Sequence, residues 1–228
     1  MKVAMVTGAS RGLGLALTRQ LTTEGWRVIV DARDGSALKR ATEGLDGVVA
    51  LPGDVTDPEH RSELVAAAKK LARLDLLVNN ASLLGPSPQP VLADYPLDML
   101  RLVYETNVLA PLALFQACAP LLHSSGGTLV DITSDAGVEA YPGWGGYGSS
   151  KAALEQASRV LAAEHPLLRV YWFDPGDMNT QMHQEAFPGE DITDRPDPER
   201  SVPALMRLIA GDLPSGRYEA KKLLEVMP

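Results

Sequence analysis

The stretch Thr7–Gly14, TGASRGLG, places three glycines, Gly8, Gly12 and Gly14, within eight residues. It follows the apolar run VAMV (3–6). It opens an amphipathic run in which Leu13, Ala16, Leu17 and Leu21 recur at helical spacing while Arg19, Gln20 and Glu24 face away. A glycine-rich turn between a buried strand and a helix has two readings. One is a tight loop with no ligand. The other is a phosphate cradle, in which glycines let the backbone approach a pyrophosphate and the helix N-terminus offers free N–H groups to its charge. The spacing is G-x-x-x-G-x-G rather than G-x-G-x-x-G, and no Gly-Lys-Ser/Thr is present, which removes an NTP-hydrolysing P-loop.

Outward from this turn the chain alternates. VAMV (3–6), RVIV (27–30), VVAL (48–51), LLVN (76–79), TLVDI (128–132) and RVYWF (169–173) are near-continuous apolar runs, and SGRY (215–218) opens a seventh, edge strand. Such runs suit strands buried on both faces, as in a parallel sheet. Between them fall helical patterns: one stopped by Gly25, one opened by Asp57-Pro58, longer ones over about 96–123 and 146–165, and one between Pro198 and Gly211. Alternating strands and helices predict an α/β fold: a Rossmann-type doubly wound parallel sheet of six or seven strands in three α/β/α layers, as a single domain over residues 1–228. The one long stretch without periodicity, 181–197, reads either as a solvated loop or as a lid over a site.

Composition bounds the partners. The 228 residues carry a net charge of -8, which argues against nucleic acid and against an anionic membrane surface. No apolar run approaches the ~20 residues of a membrane span, and strand-like sequence from Lys2 leaves no room for a signal peptide. The single cysteine, Cys118, lies in an apolar helical run and reads as a buried thiol. Together these predict a cytoplasmic protein.

In open α/β sheets ligands bind beyond the carboxyl ends of the strands. Asp54, Asn79, Asn80, Ala81, Ser134, Pro175 and Gly176 all sit at such ends. Tyr147 and Lys151 are four apart on one helix face. A free tyrosine is a poor acid or base near neutrality, and an adjacent ammonium favours its phenolate. Ser134, at a strand end, can polarise a carbonyl. Without a ligand, the same residues are a solvated Tyr–Lys pair and a serine in a turn.

TGASRGLG, Asp54, NNAS (79–82), Asn107, Ser134, YGSSK (147–151) and PGDMNT (175–180), in this order, resemble a short-chain dehydrogenase/reductase of the compact type, over about residues 2–220. The resemblance implies Tyr147 as general acid/base, Lys151 lowering its pKa and holding a nicotinamide ribose, Ser134 positioning the carbonyl, and Asn107 breaking its helix and holding a relay water. It implies that Gly8, Gly12 and Gly14 admit the pyrophosphate, with Ser10, Arg11 and Leu13 in the same turn. Asp54 and Val55 would contact the adenine, Asn80 and Ala81 line the crevice, and Pro175, Gly176 and Thr180 lie at the nicotinamide end. It also implies a homodimer or homotetramer. Two departures stand out: Ser82 where the family usually has glycine, and a C-terminal end lacking the usual Asp-Gly-Gly.

The family's NAD-selecting acid falls where this chain has Ala32. Arg33 follows, and Arg11 lies in the glycine turn, so a 2′-phosphate clamp favours NADP, with NAD through Asp31 as the alternative. The function so implied is reversible hydride transfer on a carbonyl/alcohol substrate. Its rivals are a catalytically silent NADP-binding sensor or scaffold, and a nucleotide-sugar epimerase or dehydratase. Leu83, Leu84, Tyr141, Trp144, Met178, Met182 and Phe187 point to an apolar or aromatic substrate. The four histidines, His60, His123, His165 and His183, show no metal-ligand spacing, so no metal site is expected.

Overall fold

The computed structural model describes residues 1–211 and 213–226. Seven strands, β1 (Val3–Val6), β2 (Arg27–Ala32), β3 (Val48–Pro52), β4 (Leu76–Asn79), β5 (Thr128–Ile132), β6 (Arg169–Asp174) and β7 (Gly216–Glu219), form one sheet in the order β3-β2-β1-β4-β5-β6-β7. Every pairing is parallel. The apolar runs account for this. Ala4, Val6, Val28, Val30, Val78 and Phe173 face one helical layer, while Val3, Met5, Ile29, Leu77, Leu129 and Val170 face the other. A strand without a polar face is stable only when helices cover both sides.

On one side lie α1 (Gly12–Thr23), α2 (Gly35–Thr42), α8 (Val202–Ala210) and α9 (Ala220–Glu225), packing Leu17, Leu21, Leu38, Leu205 and Leu223 into the sheet. On the other lie α3 (Pro58–Lys70), α5 (Ala110–Ser125) and α6 (Gly145–Glu164), packing Leu64, Phe115, Leu122 and Leu161. The fold is the expected three-layer Rossmann-type α/β arrangement. The strand order reverses between β1 and β4, and this places a crevice beyond their carboxyl ends.

Three stretches differ from the sequence reading. The helix expected over about 96–123 is α4 (Leu97–Tyr104), a π-helical turn (Glu105–Leu109) and α5 in continuous succession. Pro111 brings no N–H to the Asn107 carbonyl four residues back, a local cause for the altered register. By length and a mean hydropathy of 1.3, Leu97–Ser125 also meets the dimensions of a membrane span, against the expectation from the apolar runs. Its Leu114, Phe115, Cys118 and Leu122 are nevertheless buried against the sheet. Second, 181–197 opens with a helix, α7 (Gln181–Ala186), whose first turn is capped by the Thr180 hydroxyl accepting the His183 N–H at 3.2 Å. Third, the short helices α2 and α9 have no counterpart in the apolar pattern.

Candidate active site

One cleft of about 960 Å³ opens at the carboxyl ends of β1, β2, β4, β5 and β6. Gly8, Ser10, Arg11, Gly12, Leu13, Arg33, Asp54, Val55, Asn80, Ala81, Ser134, Tyr147, Lys151, Pro175, Gly176 and Thr180 all line it. Residues separated by more than 170 positions in the chain thus meet at one place.

The glycine turn is held from below by its neighbours. The Thr7 hydroxyl accepts the N–H groups of Asn80 and Ala81, each at 3.0 Å. The Asn80 amide donates back to the carbonyls of Thr7 (2.8 Å) and Gly8 (3.1 Å). Gly8 adopts φ +68°, and a Cβ there would stand 2.8 Å from the Ala81 Cα. Gly14 does not line the cleft. A Cβ at that position would meet the Asn80 amide at 2.5 Å and the Gly8 carbonyl at 2.7 Å, so this glycine permits close packing and does not admit a ligand. The N-cap residue of α1, Arg11, makes no side-chain capping bond, and the first turn carries no acid. The leading N–H groups of the helix are therefore free for an anion. A pyrophosphate fits this cradle.

At the rim, Arg11 and Arg33 are exposed, and Arg11 donates to Gln181 Oε1 of α7. Asp31 is not at the rim. It is 1% exposed, its Oδ1 accepts the Gly8 N–H at 2.8 Å, and its Oδ2 lies 3.1 Å from His60 Nε2. Its carboxylate thus supports the glycine turn, although Asp31 also lines the cleft. His60 is itself buried, and its pKa is raised, chiefly by the hydrogen bond to Asp31.

At the other end of the cleft, Lys151 is buried. Its ammonium donates to the Ile132 carbonyl at 2.8 Å and stands 5.4 Å over the Tyr147 ring. Burial lowers its pKa to about 8, against the opposing pull of Asp131. Tyr147 is buried too, and its pKa is raised. Desolvation is the main cause, with Asp174 and Asp135 adding to it and a hydrogen bond to Ser82 opposing it. This departs from the expected lowering by Lys151: the ammonium lies over the ring, and removal from water dominates. Tyr147 is therefore a phenol, not a phenolate, near neutral pH.

The Ser134 hydroxyl donates to Asp135 Oδ1 at 2.8 Å, and Tyr141 donates to Oδ2 of the same carboxylate at 3.1 Å. Asn107 lies at the π-helical turn, outside the cleft lining. Its Oδ1 accepts the Leu83 N–H (2.8 Å) and the Ser82 hydroxyl (3.2 Å), and its amide donates to the Leu83 carbonyl and Ser150 Oγ, both at 2.9 Å. The helix does not break at Asn107 but runs on through the π-helical turn that contains it. The side chain clamps the NNAS segment to α6, which leaves only the backbone carbonyl for a water.

Several participants escaped the sequence reading. Arg217 on β7 donates to Glu155 (3.1 Å), Asp174 (2.8 Å), Glu219 (2.7 Å) and the Ser134 carbonyl (3.4 Å). Glu155, one turn beyond Lys151, also accepts the Thr133 hydroxyl at 2.8 Å. Asp174 accepts the Gly176 N–H at 2.9 Å. This cluster ties the ends of β5, β6 and β7 to α6. Trp144 packs edge-on to Tyr147 (6.0 Å between centroids) and against Phe187 (5.8 Å), which in turn contacts His183 (4.9 Å).

Residues 2–191 match the family described as short chain dehydrogenase. The chain belongs to that family. Among curated relatives it is similar to short chain dehydrogenase penD of Penicillium thymicola, 35% identical over 172 residues, 71% of this chain and 62% of the relative. It is similar also to benzil reductase ((S)-benzoin forming) of Saccharomyces cerevisiae, 34% identical over 195 residues, 81% of this chain and 74% of the relative. The match thus spans less than two thirds of the Penicillium dehydrogenase. Among solved structures, a short-chain dehydrogenase from Shigella flexneri complexed with NADP superposes with a TM-score of 0.90 at 29% identity, covering 96% of this chain and 97% of that one. The protein is therefore a short-chain dehydrogenase-type oxidoreductase.

Proposed function

We propose that this short-chain dehydrogenase is an NADP(H)-dependent carbonyl reductase whose general acid is Tyr147. The observation that carries the reading is the convergence of Ser134, Tyr147 and Lys151 on the same cleft as the uncapped start of α1. When bound, the nicotinamide supplies or takes up the hydride. The chain's residues do the rest. Gly8, Gly12 and the leading N–H groups of α1 hold the pyrophosphate. Arg11 and Arg33 clamp a 2′-phosphate, which the enclosed Asp31 does not oppose. Lys151 holds the ribose. Ser134 turns from Asp135 to the substrate oxygen, and Tyr147 delivers its phenolic proton to that oxygen. A phenol kept neutral by burial is in the protonation state that carbonyl reduction requires.

Trp144, Phe187, Leu84 and Met182 give the substrate end an apolar, aromatic wall, which fits a ketone or aldehyde with aromatic or apolar substituents. The likeness to benzil reductase supports the same class. Helix α7, joined to the glycine turn through Arg11 and Gln181, would act as the lid. The exposed apolar residues Leu102, Leu109 and Val160 on α4, the π-helical turn and α6 fit a homodimer or homotetramer, and cytoplasmic NADPH fits the reductive direction.

The test is titration with NADPH and NADH by nicotinamide fluorescence, followed by an aryl-ketone panel read as NADPH oxidation. NADPH binding without turnover on any carbonyl would favour the sensor reading. Replacing Arg11 and Arg33 by alanine should weaken NADPH binding roughly 10- to 100-fold, about 1.5–3 kcal/mol, and leave NADH binding unchanged.

A further inference from the structure

Asp31 lines the cleft together with Arg11 and Arg33, yet its carboxylate is enclosed. One oxygen accepts the Gly8 N–H at 2.8 Å, and the other lies 3.1 Å from Nε2 of His60, which is itself 4% exposed. A buried histidine thus stands one carboxylate away from the turn that receives the cofactor's phosphates. We propose that His60 sets the cofactor preference: its charge offsets that of Asp31, so that NADPH is held more tightly while the imidazole is protonated and less tightly once it is neutral. The inference rests on the proposed cofactor site and its 2′-phosphate clamp.

The geometry makes this a change of charge and not of shape. Nε2 faces the Asp31 carboxylate and keeps its hydrogen in both states, so the proton that comes and goes is the one on Nδ1. Nδ1 makes no hydrogen bond, and Glu63 of the same helix brings a carboxylate oxygen to 3.8 Å from it. The turn after β3 presents Gly53, where a Cβ would stand 2.2 Å from Nδ1, so the ring fits only against a bare backbone. Asp54, beside it, is turned to Thr56, accepting its N–H at 2.9 Å and its hydroxyl at 2.8 Å. Asp31 and Glu63 are the charges that face the ring, and both favour its protonated form, Asp31 foremost. While His60 is protonated, it and Asp31 are neutral as a pair, and Arg11 and Arg33 act on the phosphates unopposed. When His60 is neutral, one carboxylate charge stays in the wall of the cleft and repels them. The pyrophosphate is common to both cofactors. The 2′-phosphate of NADPH adds about two further negative charges above pH ~6, so NADPH loses more.

The experiment measures the Kd of NADPH and of NADH by nicotinamide fluorescence at pH 6 and pH 9. His60→Gln keeps an N–H donor for Asp31 but carries no charge at either pH. At pH 6 it should bind NADPH roughly tenfold and NADH about threefold more weakly than the unsubstituted protein, the size of one screened charge. At pH 9 the two proteins should coincide. Comparing them at each pH removes the titrations of the 2′-phosphate and of Lys151, which both proteins share. A purely structural role for His60 would weaken binding equally at both pH values. The reciprocal measurement needs no His60 variant: saturation with NADPH should raise the midpoint of the His60 imidazole resonance by ~1 pH unit, and saturation with NADH by ~0.5. That resonance is assigned by elimination from variants of His123, His165 and His183. A His60 midpoint that NADPH leaves in place, or a deficit in His60→Gln that is the same at both pH values, would overturn the proposal while leaving the NADP reading intact. If NADPH binds at neither pH, the cofactor reading falls and takes this inference with it.

Discussion

Asp31 Oδ1 accepts the Gly8 N–H at 2.8 Å, so the acid near the end of β2 braces the glycine turn from inside the protein. Asp31 thereby lines the cleft while bound into its floor, and the exposed residue beyond Ala32 is Arg33.

Asp31→Ala should therefore weaken both cofactors alike. The half-buried Gly8 N–H and the buried His60 ring would lose their acceptor, a cost of about 1–3 kcal/mol for each group left unsatisfied. We expect a lower Tm and an approximately tenfold rise in the Kd of NADPH and NADH together. A change in the NADPH/NADH ratio would show that Asp31 reads the ribose after all.

The partner of Asp31 gives a pH dependence. The pKa of His60 is raised above its ordinary value of 6.5, first by its hydrogen bond to Asp31. A raised folded-state value means that the stabilisation is fully present below the unfolded pKa and is lost as pH rises through the folded one. Thermal melts from pH 6 upward should show a loss of stability that is absent in His60→Gln. Parallel curves for the two proteins would refute this.

Lys151 has the opposite sign. Its pKa is lowered to about 8 by burial, so the folded state binds its proton less well than the unfolded chain does. Its contribution to stability should rise between pH 8 and the ordinary lysine value of 10.5. Lys151→Met should be more stable than the unsubstituted protein at neutral pH, by about 1–3 kcal/mol, and inactive in ketone reduction. Calorimetry beside an activity assay separates the two effects.

Arg217 joins three carboxylates and the Ser134 carbonyl. Arg217→Met leaves Glu155, which is 3% exposed, without its cation, and should destabilise the fold by about 3–5 kcal/mol. Arg217→Lys should rescue little, because one ammonium cannot serve the separate positions of a planar fork. Denaturant midpoints for both variants provide the check.

The sheet was legible because strands buried on both faces leave uninterrupted apolar runs; the edge strand expected from SGRY (215–218), which is half-buried and not an apolar run, forms one residue later as Gly216–Glu219. Helix α2 was not legible, since only Leu38 of its eight residues is buried. Its one clear mark was Asp34, whose side chain caps the N–H groups of Ser36 and Ala37. The Tyr147–Lys151 pair was legible because both lie on one helix face. The direction of the Tyr147 shift was not, because burial depends on what Trp144, Leu84 and the rest of the fold bring around it. The Arg217 cluster was hidden for a topological reason. Arg217 has only Glu219 close in sequence; Asp174 is 43 residues away and Glu155 62, and they meet through the β6–β7 register that sets Asp174 opposite Glu219.

The order in which the chain is made acquires a meaning from β7. The glycine turn is among the first parts of the cleft to leave the ribosome, and Arg217, which braces the strand ends behind it, follows long after. Until that arginine emerges, Glu155 and Asp174 lack the cation they share in the folded protein. A nascent chain arrested before β7 should therefore fail to retain NADPH although nearly every cofactor-facing residue has been synthesised, and ribosome-bound chains of graded length would reveal the step at which capture begins.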